Sequence, residues 1–378
     1  MKEKVIQVAD SIREKIWDLS TYLYENPEIG LQEFKSSKKI AEFLRNEGFE
    51  VEENLAGMAT AFRATKKNGN GIRIVFTAEY DALPGIGHAC GHHLIAAMSV
   101  GAGVALASAL DTYEGEVTII GTPSEETGDG KPYLIEHGVF DNFDAAMMIH
   151  PNSSTCLTPE MIAIGGLDFI FTGKAAHAGA MPYNGVNALD AVVLLYNNIN
   201  ALRQQLVDGT RVHGIILEAG KAANVIPDRG KVRLEIRAKE QDYFNKVVER
   251  IINCAKGAAM ATGCELDFYH FEPTCQGLTH NKVLLDVFKN VMKDFGIEEN
   301  GEVLLGSTDM GNVSQIIPTI HPMIQVTQNG EELHTKEFLE SSIKPYSKEI
   351  VMDGIKMLAL TGLNLFERPE LIKKMKEE

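Results

Sequence analysis

The 378-residue chain has few cysteines and no excess of positive charge. Five cysteines are an odd and small number for a chain of this length, which argues against a disulfide framework and for a reducing, cytoplasmic location. The 36 basic and 52 acidic side chains give a formal net charge of −16. A field of that sign disfavours nucleic acid and anionic membranes as partners, so the charge mainly serves solubility.

Long apolar runs and repeats are also missing. We expect no membrane-spanning segment, because no run approaches the roughly 20 apolar residues that cross a bilayer. The N-terminus lacks the apolar core of a secretory signal. With 44% hydrophobic and 23% charged residues, the composition is that of a globular protein, and the length suits two domains.

One short stretch, 87–94, carries side chains that bind metals. Cys90 and His92 stand there between glycines, which permit backbone angles that a Cβ would forbid. Thiolate and imidazole are ligands that a borderline metal prefers, but two donors do not hold an ion. The stretch alone leaves open both metal binding and the ordinary packing of a small thiol and a hydrogen-bonded histidine.

Similar side chains follow further predicted strands. Buried strands are predicted at 72–77, 117–121 and 145–149, and a later one at 319–326. The potential ligands beyond their ends are, in order, Glu79 and Asp81, Glu125 and Glu126, His150, and His334. Open α/β sheets bind small molecules and ions at the carboxyl edge of their strands. We therefore expect a dinuclear metal site there, with a glutamate as the base that takes the proton of the bound water.

Residues 163–273 carry a different pattern. Strand and helix signals follow the order βαββαβ, which is the ferredoxin-like arrangement, and its adjacent termini allow insertion into another domain. We therefore predict an α/β protein in two parts. Residues 1–162 and 274–378 form an α/β/α catalytic domain with a central mixed sheet, and 163–273 form an inserted ferredoxin-like lid.

Six segments carry a family resemblance. They are NPEIGLQE (26–33), DALP (81–84), HACGH (88–92), TPSEE (122–126), NVIP (224–227) and LHT (333–335). In this order they resemble the aminoacylase and carboxypeptidase-G family of dimetal peptidases, nearly end to end. The closest similarity is to the amidohydrolase branch, with hippuricase, auxin-conjugate hydrolases, aminobenzoyl-glutamate hydrolase and related dipeptidases.

The resemblance implies two divalent ions per subunit. The positions that match metal ligands are Cys90, which matches the bridging one, His92, Glu126, His150 and His334. Zinc or manganese suits a set with one sulfur, imidazoles and carboxylates, and cobalt or nickel also fits it.

The resemblance also implies roles for five other side chains. Glu125 matches the general base, and Asp81 matches the aspartate that orients the metal ligands. In the lid, His177 matches a histidine that reaches the partner subunit's site and stabilises the oxyanion. Asn224 and Arg237 match residues that hold substrate, and the planar fork of the arginine suits a carboxylate.

Two positions depart from the branch. Glu79 stands where the branch more often has aspartate and other branches have a metal-binding histidine. His93 stands where aspartate or asparagine is common, which changes the hydrogen bonding expected in this loop. His88 is a candidate for supporting the metal ligands, while the remaining histidines and the other four cysteines are expected to be ordinary surface or core residues.

The leading hypothesis is a metal-dependent amidohydrolase that cleaves N-acyl amino acids or dipeptide-like amides. The lid would form a homodimer or higher homo-oligomer. One alternative is a hydrolase with Cys90 as nucleophile, activated by His92 or His150. The other alternative is a binding protein that keeps the fold without turnover.

Overall fold

The computed structural model of the protein describes residues 1–301 and 305–378. The helices within these ranges are α1 Lys2–Ser11, α2 Arg13–Glu25, α3 Phe34–Asn46, α4 His92–Ala107, α5 Gly130–Glu136, α6 Ala188–Leu202, α7 Gln241–Thr262, α8 Lys282–Lys293, α9 Met310–Ser314, α10 Lys336–Ser341, α11 Pro345–Glu367 and α12 Glu370–Lys376. The strands are β1 Glu50–Glu53, β2 Phe62–Asn68, β3 Ile72–Ala78, β4 Gly115–Gly121, β5 Ala145–Met147, β6 His150–Asn152, β7 Glu160–Met161, β8 Ala163–Thr172, β9 Arg211–Glu218, β10 Arg229–Ala238, β11 Glu265–His270, β12 Leu305–Gly306, β13 Thr319–Ile320 and β14 Met323–Gln325.

The chain divides into two compact units. The first unit comprises Met1–Glu160 and Leu278–Glu378, and the second comprises Met161–Gly277. The second unit is one continuous segment that separates the two parts of the first. The sequence had placed this segment at 163–273.

The first unit is built on a mixed sheet in the order β1-β2-β4-β3-β5-β13. Strands β4, β3, β5 and β13 run parallel, and β1 and β2 add an antiparallel edge. Beyond β5 and β13, the short strands β6 and β14 continue as a separate parallel pair. The predicted mixed α/β fold with a central mixed sheet is confirmed.

Apolar side chains cover both faces of this sheet. On β3, Ile74 and Phe76 join a core formed with helices α1, α2, α4, α8 and α11. Val75 points the other way, into a second core with α5 and α9. Because successive side chains of a strand alternate between faces, a continuous apolar run such as 74–76 places β3 in the middle of an α/β/α sandwich.

Helix α4 requires a correction to the expectation of no membrane-length segment. The stretch His92–Asp111 is long and apolar enough to cross a bilayer by length and composition, with a mean hydropathy of 1.7. However, 94% of this window is buried inside the protein. The helix is apolar on all sides because it packs between the sheet and helices α2 and α11, as a core helix does.

Several apolar stretches are divided into two elements in the structure. Helices α1 and α2 are separated at Ile12. Strands β1 and β2 are separated where Asn54 and Ala56 turn the chain with positive φ. Pro322, which has no N–H for a sheet, lies between β13 and β14. Pro345 is the first residue of α11, where its fixed φ favours a new helix after α10.

The second unit has its own antiparallel sheet, in the order β11-β8-β10-β9. Alternate residues of β10 are buried against α6 and α7, while Arg233 and Arg237 project from the opposite face. Strand β9 is an edge of this sheet, and its Ile215, Ile216 and Leu217 are exposed.

Candidate metal centre

The potential ligands of the first unit lie beyond the carboxyl ends of its parallel strands. Glu79 and Asp81 directly follow β3, and Glu125 lies in the loop after β4. His150 is the first residue of β6, three residues after β5 ends. The parallel order of β4, β3 and β5 brings these loops to one edge of the sheet.

The Cys90 loop depends on Gly91. This residue has φ of +81°, and a Cβ built on it would lie 2.5 Å from Cγ of Pro151. No residue other than glycine fits there without strain or displacement of the neighbouring strand. The sharp turn allows α4 to begin at His92, so Cys90 and His92 project from the same bend.

Two groups of donor atoms meet at Cys90. The first consists of Cys90, His92 and His150, and the second of Cys90, Glu126 and His334. Within each group, the ligand atoms all lie within 4.8 Å of one another. The Cys90 Sγ atom is 3.7 Å from Nε2 of His150 and 3.3 Å from Nε2 of His334. The shared thiol makes this geometry suitable for two neighbouring cations.

Hydrogen bonds at Nδ1 orient two of the histidines. Nδ1–H of His92 donates to Oδ1 of Asp81 at 2.9 Å, and Nδ1–H of His150 donates to the carbonyl of Pro151 at 2.7 Å. In each ring this leaves the Nε2 lone pair facing the donor group. Metal-binding histidines are usually oriented by such a hydrogen bond from the ring nitrogen that does not bind the metal.

His334 is attached to the same loop through its backbone. Its N–H donates to the carbonyl of Ala89 at 2.9 Å, and its φ of 64° lies in the left-handed region. A non-glycine residue in that region is strained. The strain is held by the surrounding structure at a point where it directs the imidazole toward Cys90.

Buried polar atoms in the cluster fit a bound cation. Nε2 of His92 lies 3.6 Å from Oε2 of Glu79 and 3.8 Å from Oε1 of Glu126. All three atoms are buried, and none has a hydrogen-bond partner among the residues that the structure describes. Lone pairs that face one another in this way are stable only with a cation or proton between them.

The pKa shifts in the cluster agree with this charge requirement. Burial lowers the pKa of His150 to about 4, so its imidazole is neutral and able to bind a metal. Burial also lowers the pKa of His92, but the charges of Asp81 and Cys90 outweigh it and hold that pKa well above its usual value. The cluster therefore favours a positive charge at Nε2 of His92.

Glu125 lies beside the donor atoms. Its Oε2 is 3.8 Å from Nε2 of His92, and it forms a further cluster of carboxylates with Glu79 and Asp309. Burial, and then the charges of Glu79 and Asp309, raise the pKa of Glu125 well above its usual value. A carboxylate whose pKa is raised can accept a proton from water and later donate it to a leaving group.

A buried lysine that no sequence motif revealed also lies in this cluster. Nζ of Lys131 donates to Oε1 of Glu79 at 2.6 Å and to Oδ1 of Asp309, and all three side chains are fully buried. The charges of Asp309 and Glu79 outweigh burial and raise the pKa of Lys131 above its usual value. The only sequence signal was a lysine close behind the Glu125–Glu126 pair.

The remaining predicted site residues lie in the second unit. His177 is exposed, and its Nδ1 accepts hydrogen bonds from the N–H groups of Gly179 and Ala180. Asn224 is exposed, and its backbone carbonyl accepts a hydrogen bond from the N–H of Ala178. The segment around Asn224 therefore adjoins the segment that carries His177. The guanidinium of Arg237 is half-buried and donates to Glu235 at 2.9 Å.

The sheet edge, the paired donor groups and the adjacent glutamate define a metal-dependent hydrolase. The sequence model of Peptidase family M20/M25/M40 matches residues 75–360. The chain belongs to this family, and it is a dimetal amidohydrolase of the dipeptidase and acyl-amino acid hydrolase type. The family resemblance and the enzyme class expected from the sequence are confirmed.

Three similar proteins illustrate the relationship. The chain is 33% identical over 397 residues to a mouse (Mus musculus) Xaa-Arg dipeptidase, covering 100% of this chain and 92% of the relative. It is 26% identical over 444 residues to a p-aminobenzoyl-glutamate hydrolase polypeptide of Escherichia coli (strain K12), covering 97% and 92%. The fold matches the YXEP protein of Bacillus subtilis, described as a dinuclear metal binding peptidase, with a TM-score of 0.72, 22% identity and coverage of 93% and 98%.

Replacing the shared thiol should remove metal from both donor groups. We expect Cys90→Ala to lower the metal content from about two ions per subunit to less than about one, because each group loses a donor. The measurement is inductively coupled plasma mass spectrometry after loading with zinc or manganese and dialysis. Cys156→Ala is the matched control, since Cys156 is a buried thiol of the same unit that belongs to neither donor group. Wild-type metal content in Cys90→Ala would contradict the shared role.

Proposed function

We propose that this enzyme hydrolyses the amide bond of dipeptides or N-acyl amino acids at a centre held by Cys90 and four other side chains. The other proposed ligands are His92, Glu126, His150 and His334. The observation that carries the proposal is the pair of donor groups with a common thiol and an additional glutamate beside them. Names of the relatives, such as Xaa-Arg dipeptidase and aminobenzoyl-glutamate hydrolase, support this substrate class.

The proposed roles follow from the positions of the side chains. Two divalent ions, zinc or manganese with cobalt or nickel as alternatives, supply Lewis-acid chemistry that polarises the substrate carbonyl and acidifies water. Glu125 accepts the proton of the attacking water and delivers it to the leaving nitrogen. Asp81 keeps His92 in the tautomer whose Nε2 is free to bind.

Removal of the general base should separate catalysis from metal binding. We expect Glu125→Gln to lower kcat by about 10³-fold while metal content stays at the wild-type level, because the amide keeps the shape but cannot take up a proton. Initial rates on a dipeptide with C-terminal arginine and on aminobenzoyl-glutamate, together with metal analysis, check this. Glu136→Gln, an exposed glutamate of α5, is the control and should retain full activity. Near wild-type turnover in Glu125→Gln would refute the assigned role.

The second unit is proposed to be a ferredoxin-like lid that holds the amino-acid half of the substrate. Its order of elements, β8-α6-β9-β10-α7-β11, and its strand order support this. Arg237 projects from the sheet face that α6 and α7 leave uncovered, and its planar fork suits a free carboxylate. Asn224 is proposed to assist on the same substrate.

Replacing the guanidinium of Arg237 should weaken the binding only of substrates with a free carboxylate. We expect Arg237→Met to raise KM for such a substrate by about tenfold and to leave KM for the carboxamide analogue unchanged. Steady-state kinetics on the two matched substrates measure the difference. Arg229→Met is the control, since Arg229 lies on the same strand and pairs with Glu218. Equal effects on both substrates would rule out carboxylate recognition by Arg237.

We also propose that the lid forms a dimer in which His177 serves the partner's active site. The exposed apolar side chains of edge strand β9 support an interface, because an unpaired edge is a template for another strand. Since Nδ1 of His177 accepts two N–H groups, its proton is on Nε2, which can donate to the oxyanion that develops on the substrate carbonyl.

Mixed dimers test whether the site is composite. We expect Glu125→Gln and His177→Ala to be nearly inactive alone, and co-expression to restore about a quarter of the wild-type activity, because half of the random dimers contain one intact site. The purified, differently tagged heterodimer, in which one of the two sites is intact, should then show about half of the wild-type activity, and this activity is the measurement. Glu125→Gln with Glu126→Gln is the control and should restore nothing, since both changes affect the same unit. Absence of restoration in the first pair would exclude action across the interface.

The structure disfavours Cys90 as a nucleophile. The thiol is 7% exposed, and burial raises its pKa above the usual value for cysteine. A catalytic thiol requires the opposite shift and access for substrate. The two neighbouring imidazoles and the shared position of the sulfur agree better with a metal ligand.

A cytoplasmic location remains our proposal, supported by the lack of any disulfide among the five cysteines, all of which the structure describes.

A further inference from the structure

The loop that carries the proposed general base contains a strained residue. Ser124, directly before Glu125, has φ of 64° and ψ of 41°, in the left-handed region. For a residue other than glycine this conformation is unfavourable and needs support from the surroundings. The direction in which the Glu125 side chain leaves the loop depends on this conformation.

Two buried carboxylates hold the loop on either side of Glu125. The N–H of Ser124 donates to Oε1 of Glu33 at 2.9 Å, and the N–H of Glu126 donates to Oδ2 of Asp81 at 3.0 Å. Glu33 is fully buried and Asp81 nearly so. Asp81 also orients His92, whereas Glu33, the last residue of the segment NPEIGLQE, has no role in the proposed mechanism.

Contacts of Ser124 restrict it further. A Cβ on Gly30 would lie 2.6 Å from Oγ of Ser124, so the chain before Glu33 packs directly against this residue. Thr127 donates its hydroxyl proton to Asp129, and Oγ of Ser124 therefore donates to Oγ1 of Thr127, at 2.6 Å. These contacts fix the side chain, but the hydrogen bond to Glu33 is the one that fixes the strained peptide.

Glu33 is itself on a rigid support. It directly precedes α3, whose Ile40 and Leu44 are fully buried. Burial raises the pKa of Glu33 to about 7, and both its charged and its neutral form keep an oxygen that can accept the Ser124 proton. The hydrogen bond thus does not depend on the charge of Glu33.

We propose that Glu33 is a positioning residue that holds Ser124 in its left-handed conformation and thereby aims Glu125. The inference rests on the proposed function, in which Glu125 is the base. Glu33 acts through the Ser124 peptide. Its contribution is therefore to kcat, with substrate binding and metal content unchanged.

The test compares two replacements of similar size. Glu33→Met fills the buried volume without an acceptor, and we expect kcat to fall by about 30-fold with KM and metal content unchanged. Glu33→Gln keeps an accepting oxygen and should retain kcat within about twofold. Hydrogen exchange of the peptide covering 122–128, followed by mass spectrometry, should increase in Glu33→Met and not in Glu33→Gln.

A second-site change tests the strain directly. Glycine adopts the left-handed region without cost, so Ser124→Gly in the Glu33→Met background should recover about fivefold in kcat. Glu28→Ala is the matched control, because it removes a carboxylate that accepts hydrogen bonds from the first turn of α3, close to Glu33 in sequence, and has no contact with the Glu125 loop. This control should lower the melting temperature and leave kcat unchanged.

The outcomes separate this inference from the proposed function. Unchanged kcat in Glu33→Met, together with inactive Glu125→Gln, would overturn only the role of Glu33. A loss of kcat in Glu28→Ala equal to that in Glu33→Met, loss of metal from Glu33→Met, or no recovery with Ser124→Gly would also overturn it. Full activity of Glu125→Gln would instead remove the proposed function.

Discussion

The arrangement of this enzyme depends on negative charge buried at the carboxyl edge of its sheet. Glu79, Asp81 and Asp309 are at most 1% exposed, and Glu125 adds a further carboxyl beside them. Buried carboxylates cost several kcal/mol each unless positive charge compensates them. Lys131 supplies one fixed positive charge to Glu79 and Asp309, which leaves the donor atoms around Cys90 for the proposed divalent ions.

The packed sheet and its helices hold the loops of this charged centre in place. Strand β3 and helix α4 are almost wholly buried and connect directly to the ligand loops, so well-packed elements carry the charged groups at their ends. Strained backbone lies in the same place, at Ser124 and His334. Strain of this kind persists where the surrounding packing leaves the chain no alternative, and here it directs one proposed base and one proposed ligand.

The chemistry of the centre was more predictable than its support. Cysteine, histidine and paired glutamates are recognisable because few residue types bind metals, and because each followed an apolar strand. Lys131 and Glu33 carried no such signal, since a lysine or a glutamate normally faces water. Their importance comes from burial and from partners distant in sequence, such as Asp309 and Ser124, which no local pattern reveals. The divided elements had a similar cause, since single residues such as Ala56 turned the chain within an apolar pattern.

The sequence by itself determined the class of fold, the order of the elements and the set of residue types able to bind two cations, because apolar periodicity and ligand chemistry are local properties. Tertiary structure alone decided which of these atoms meet. It made Cys90 common to two donor groups, brought Lys131 between two carboxylates, and placed Glu33 against the loop of the base. Distances between remote side chains arise from the packing of the whole sheet and its helices, which no segment of the sequence specifies alone.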